Sequence, residues 1–134
     1  MPATLSFDYA VLRVVPRVDR EEFVNGGVIL FCLERDFLEA RVHLDHARVR
    51  SLFPGADLTT IEDHLRAIPR IAAGTVDGGP IGQLTLRERF HWLVAPRSTM
   101  IQVSPVHSGL CEDPAQELDR LLRELVRIEG AKQG

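Results

Sequence analysis

Val28-Ile29-Leu30-Phe31-Cys32-Leu33, then Glu34-Arg35-Asp36, then Phe37-Leu38-Glu39-Ala40-Arg41-Val42-His43-Leu44: the reading of this stretch decides the fold. The first run is apolar without a break. Successive strand residues point to opposite faces, so such a run reads as a strand covered on both. The second run alternates, with Leu38, Ala40, Val42 and Leu44 on one face and Glu39, Arg41 and His43 on the other. It reads as a strand with one buried and one wet face. The polar Glu34–Asp36 connection is short, so the two strands are read as a hairpin.

Outward toward the N-terminus, Tyr9–Val15 is rich in β-branched and aromatic residues and stops at Pro16, which has no N–H for a ladder. The polar Arg17–Gly27 segment follows and ends in Asn25-Gly26-Gly27, which reads as a turn because these residues tolerate positive φ. In the other direction, Asp45 caps a short helix carrying Val49, Leu52 and Phe53, stopped by Pro54-Gly55. Thr59 with Glu62 has the form of a capping box, after which Ile61, Leu65, Ile68 and Ala72 repeat at helical spacing. Pro69 inside that repeat must kink the helix or end it near Ile68. Gly74–Gly82 is glycine-rich and reads as the main flexible loop. Leu84–Val94 fits two patterns. Thr85 with Glu88 forms a second capping box and Leu86, Phe90, Leu93 and Val94 share a helical face, whereas Phe90–Ala95 suits a strand paired with Met100–Val103 across Pro96–Thr99. The helix is preferred. Met100–Pro105 is a fourth strand. Asp113 caps a last helix with Pro114 at its first position and Leu118, Leu121, Leu122, Leu125 and Val126 as its buried stripe, ended by Gly130.

Strands first and helices after, without regular βαβ alternation, predict an α+β single domain over residues 1–134. The expectation is a mainly antiparallel sheet of about four strands with three to five helices on one side and a C-terminal amphipathic helix. Residues 7–44 are strand-rich, 45–130 hold helices and one further strand, and 131–134 form a disordered tail. A chain of 134 residues with 45% apolar and 26% charged side chains can bury a core without a metal or disulfide.

The net charge is −3 and no basic stripe is present, which disfavours nucleic-acid binding. Of the 16 basic residues only Lys132 is lysine. Codon bias accounts for that in general, while particular arginines can make bidentate contacts lysine cannot. Cys32 and Cys111 fit no metal or redox spacing. The N-terminus lacks a signal-peptide pattern, and no apolar run reaches the ~20 residues of a membrane span. A cytoplasmic location without membrane contact is expected.

No P-loop, dinucleotide fingerprint, nucleophile elbow or HExxH zinc motif is present. Gly78-Gly79-Pro80-Ile81-Gly82 lacks the Lys-Ser/Thr that would hold phosphate and magnesium. His43, Asp45 and His46, with His64 or His107 as a remote fourth, have zinc-ligand chemistry, but Asp45 is already engaged as a cap. No metal, cofactor or catalytic residue is assigned. Two polar clusters stand out. Arg13, Arg17, Arg20, Glu21, Glu22 and Asn25 combine guanidinium forks with carboxylates, either a loop closed by ion pairs or a site for an anion. Arg97, Ser98, Gln102, Ser104 and His107 surround the fourth strand. His107 has the chemistry of a general base, but no acid is placed to complete a relay through Ser98 or Ser104.

The run Tyr9–Phe31 (YAVLRVVPRVDREEFVNGGVILF) resembles the opening signature of a bacterial family of domains of unknown function, DUF3037. Arg89–Val94, Ala95–Ser98, Ile101–Pro105, His107-Ser108-Gly109 and the Asp113-Pro114 helix resemble the rest of its pattern. Members often carry Asn-Val-Gly where this chain has Asn25-Gly26-Gly27. The resemblance implies no established activity. It does imply partnership with a HipA-like kinase, whose genes are frequent neighbours. Its motif residues fall on the same two clusters, giving Arg13, Arg20, Glu21, Glu22, Asn25, Arg97, Ser98, Gln102 and His107 as candidate binding residues. The expected function is a non-enzymatic protein-binding or adaptor module. The alternative is a small enzyme or sensor that binds an anionic metabolite through Arg and His. If the fourth strand pairs beside the first, the Arg17–Gly27 and Pro96–Thr99 connections open at one end of the sheet. Their arginines then require either bridging glutamates or a bound anion.

Overall fold

A computed structural model describes residues 4–97 and 99–127. Strand β1 (Leu5–Val14) lies at the middle of a five-stranded antiparallel sheet, with β2 (Val24–Cys32) on one side and β3 (Phe37–Val42) outside β2. The β2–β3 hairpin forms as read, in the register Phe31↔Leu38 and Ile29↔Ala40. The other edge of β1 is shared end to end by β4 (Ile101–Val103), opposite Leu12–Val14, and β5 (His107–Cys111), opposite Leu5–Tyr9. The fourth strand thus pairs beside the first, and a fifth continues its line. Ser104 spans the break. It is buried, its Oγ accepts the Val11 N–H at 2.8 Å and donates to the Pro105 carbonyl at 2.9 Å, and its own N–H reaches Val11 O at 2.9 Å.

The helices are α1 (His46–Leu52), α2 (Leu58–Ala73), the single turn α3 (Gly79–Gly82), α4 (Leu86–Leu93) and α5 (Pro114–Leu121), which runs on as a π-helical turn over Leu122–Arg127. They do not all stand on one side, contrary to the expectation. Ile29 and Phe31 of β2 join Leu12, Val49, Leu65, Ile68, Phe90 and Leu93 in one apolar core. Val28, Leu30 and Cys32 join Leu5, Phe7, Leu118, Leu121 and Val126 in a second. The sheet is therefore sandwiched, α2 and α4 on one face and α5 on the other. This explains why β2 has no polar residue from Val28 to Cys32.

Four further local readings are revised. Asn25-Gly26-Gly27 is no turn; it lies inside β2, and only Gly74 and Gly79 among the described glycines have positive φ. The register slips between Leu12 and Arg13, with Leu12 opposite Gly27 and Arg13 opposite Asn25, so Gly26 is the extra residue of a β-bulge. A Cβ on Gly26 would sit 2.8 Å from a Val14 methyl, and one on Gly27 would sit 2.7 Å from the Arg41 carbonyl. Close packing, not φ, demands these glycines. Second, α2 is capped by Asp57, whose carboxylate accepts the Thr60 N–H at 3.1 Å, and not by a Thr59–Glu62 box. Third, α2 passes through Pro69 and does not end near Ile68, because Ile71 and Ala72 are buried on the same face as Ile61 and Leu65. Fourth, Gly74–Gly82 is not a bare loop; it holds a 3-10 turn (Val76–Gly78) and α3. The helical reading of Leu84–Val94 holds, with the Thr85–Glu88 capping box made in both directions. Asp113 caps α5 with Pro114 at its start. Gly130 and the tail 131–134 lie outside the described residues.

Candidate functional site

The bulge in β2 and the register of β4 determine where the polar residues of the sheet go. Arg13 stands between Asn25 on one neighbouring strand and Gln102 on the other. All three belong to the face that α5 covers. Asn25 Nδ2 donates to the Leu125 carbonyl at 3.0 Å and so ties β2 to the end of the C-terminal helix. Gln102 Nε2 donates to the Thr99 carbonyl at 2.9 Å. The Arg13 guanidinium lies 4.4 Å from the centre of the Phe23 ring. Among the described residues its buried Nε has no partner, and the guanidinium makes neither a hydrogen bond nor an ion pair. Further along the same face His107 packs against Tyr9, ring centres 5.3 Å apart, in the cross-strand pair Tyr9↔His107.

The β1–β2 connection neutralises itself. Arg20 Nε donates to Glu22 at 2.7 Å and Arg17 pairs with Asp19 at 2.6 Å, all on exposed side chains. The hydrogen bonds from Arg20 and Arg17 hold the Glu22 and Asp19 carboxyls below their ordinary values. Exposed pairs of this kind contribute little to stability. Glu21, between them, points outward with a left-handed backbone at φ 58°.

Arg97 stands elsewhere. It precedes β4 and therefore lies at the end of the sheet where β1 runs into this connection, since Val15 N–H donates to Met100 O. Its side chain, however, packs with the α2–α4 layer. The guanidinium sits 4.8 Å from the Trp92 ring centre and donates to the Trp92 carbonyl at 2.8 Å. Together they border a groove of about 540 Å³ lined by Ala67, Ile68 and Ile71 of α2, by Pro96, and by Ile101 of β4. Partial burial lowers the Arg97 pKa, the direction expected for a cation moved out of water, and no described carboxylate pairs with it. The candidates thus occupy three places: the Arg13–Asn25–Gln102 row with His107 beyond it, the self-paired Arg20–Glu22 loop with Glu21, and the Arg97 groove. Ser98 lies outside the described residues.

Among the described residues no group of three His, Cys, Asp or Glu is placed to hold a metal. Asp45 accepts the Arg48 N–H as the cap of α1, and His46 Nε2 lies 3.1 Å from Glu62. No described helix is long and apolar enough to cross a membrane.

Residues 9–126 match the model of a family described as a protein of unknown function, DUF3037. This chain belongs to the DUF3037 family. No curated protein and no solved structure matches it. The family match of this DUF3037 protein runs from Tyr9 in β1 to Val126 in the last helical turn, and so takes in all three places. Sequence reasoning missed Trp92 and the α2 residues of the groove. A signal for Trp92 was present: it is the chain's single tryptophan and falls off the Leu86–Phe90–Leu93 stripe of its helix, which leaves it 38% exposed.

Proposed function

We propose that this DUF3037 protein is a non-enzymatic binding module that engages a partner protein through the groove between α2, α4 and β4. The observation that carries this reading is the Arg97 guanidinium stacked over exposed Trp92 at the border of an apolar groove, without a carboxylate partner among the described residues. Tryptophan and arginine dominate binding hot spots, and a half-dry cation without a counter-ion suits a partner segment offering apolar side chains and one carboxylate. The family resemblance suggests a HipA-like kinase as that partner. A second reading, a sensor of a small anion, is favoured by the unpartnered Arg13 Nε.

Co-expression with the kinase and affinity capture tests both. Trp92→Ala and Arg97→Met are expected to weaken the complex by about 30-fold or more, the scale of a 2 kcal/mol hot spot, without lowering the melting temperature appreciably. Capture unaffected by either substitution counts against the groove. Stabilisation by orthophosphate that disappears in Arg13→Met favours the sensor.

A further inference from the structure

The outer edge of β5 has no strand beside it among the described residues. Natural sheets blunt such an edge with charge, above all lysine. The opposite edge of this sheet follows that rule, for β3 carries Glu39 and Arg41. From Ile101 to Cys111 the chain has no Asp, Glu, Lys or Arg. It also exposes Val106 and, at 70%, Leu110, the most exposed apolar side chain of any strand.

Antiparallel strands use the backbone groups of alternate residues toward each neighbour. β1 turns its odd residues to this edge, as the Val15 N–H to Met100 O and Ser104 N–H to Val11 O bonds show. His107, Gly109 and Cys111, opposite Tyr9, Phe7 and Leu5, therefore spend their hydrogen bonds inward. Ser108 and Leu110 are left with N–H and C=O groups directed outward.

We infer that a second copy of this chain pairs with β5, antiparallel, about a two-fold axis at Gly109. In this register Ser108 exchanges two hydrogen bonds with Leu110 of the second copy, and the symmetric pair doubles them. Gly109 meets its own equivalent at a position without hydrogen bonds, where Cα atoms approach to about 4.5 Å and side chains crowd most. The Phe7 ring over Gly109 already demands a glycine there, since a Cβ would lie 2.9 Å from it, so the backbones meet without obstruction. Leu110 gains the Val106 and Leu110 of the second copy as diagonal neighbours on one face. His107 faces Cys111 of the second copy on the other. A two-fold pairing brings identical segments together, and β5 carries no charge of its own to oppose it; the nearest carboxylate, Asp8 on β1, is engaged by the Ser108 hydroxyl at 2.6 Å. That absence of charge is why a copy of itself is the occupant.

The register supplies its own test. In His107→Cys the new thiol faces Cys111 of the second copy in a pair without hydrogen bonds, about 4.5 Å between Cα atoms and within disulfide range. Within one chain the two positions are four strand residues apart, about 13 Å, and cannot be bridged. Mild oxidation should convert His107→Cys to a covalent dimer, with the wild type remaining uncrosslinked. Sedimentation of the wild type should show a monomer–dimer equilibrium at high concentration, and Leu110→Lys should abolish it with an unchanged melting temperature. A wild type that stays monomeric and a His107→Cys variant that does not crosslink overturn the inference. So does association that survives Leu110→Lys, or an edge whose Leu110→Lys variant loses only the kinase. The groove on the α2–α4 layer is untouched by these substitutions, so the two proposals fail separately.

Discussion

Glu21 holds a backbone at φ 58°, where a Cβ crowds the neighbouring carbonyl at about 1 kcal/mol. It closes a turn in which both the Arg20 and Glu21 N–H groups reach the Arg17 carbonyl. Its side chain is exposed and makes no hydrogen bond among the described residues. Glu21→Gly removes the crowding but gives the unfolded chain more freedom, so the net gain is about 0.5 kcal/mol, a rise of roughly 2 °C in melting temperature. Thermal unfolding checks this, and a fall would mean the carboxylate contributes something the geometry does not reveal. The same scale shows what sequence conceals. Asn25-Gly26-Gly27 has the composition of a turn, yet its glycines answer to Val14 and the Arg41 carbonyl, which are near only once β1 and β3 have flanked β2. Likewise Arg13, Asn25 and Gln102 are scattered along the chain, and only the bulge and the strand register set them in a row.

At the scale of elements, local pattern and tertiary packing compete, and α2 displays the contest. Pro69 removes one backbone donor and its ring crowds the Leu65 carbonyl, yet the helix reaches Ala73 because burial of Ile61, Leu65, Ile68, Ile71 and Ala72 outweighs that cost. Pro69→Ala restores the missing hydrogen bond. It should stabilise by about 1–3 kcal/mol, reduced somewhat by the greater freedom of the unfolded chain, and raise the melting temperature by several degrees. A lower melting temperature would show that the half-buried ring fills space in the core. Elements with strong caps and stripes, α4 and α5, were legible because Thr85, Glu88, Asp113 and Pro114 act within their own turns. β5 was not. His-Ser-Gly-Leu-Cys has no alternation and little strand propensity, and it is a strand because β1 offers Leu5–Tyr9 to pair with.

The described chain is a sheet between two unequal apolar layers, and its two cores meet across β1 and β2. The unbroken apolar run of β2 announced two covered faces, but nothing in the stripe of α5 said which face it would take. That outcome depends on Leu5, Phe7, Val28 and Leu30 sharing a side. If the layers form one cooperative unit, damage to either must be felt in the other. The single tryptophan makes this measurable, because Trp92 sits in α4, across the sheet from α5. Leu118 is completely buried beneath α5, and Leu118→Ala should cost about 2–5 kcal/mol through lost burial and the cavity left behind. In a two-state domain the Trp92 fluorescence transition in urea moves to lower concentration by the full amount and coincides with the circular dichroism transition. If α5 is an independently docked helix, the fluorescence midpoint stays fixed and only part of the helical signal melts early. Leu65→Ala, in the other layer, serves as the comparison: it should shift both signals together whichever way α5 behaves, so only Leu118→Ala distinguishes one domain from a sheet with a detachable cover.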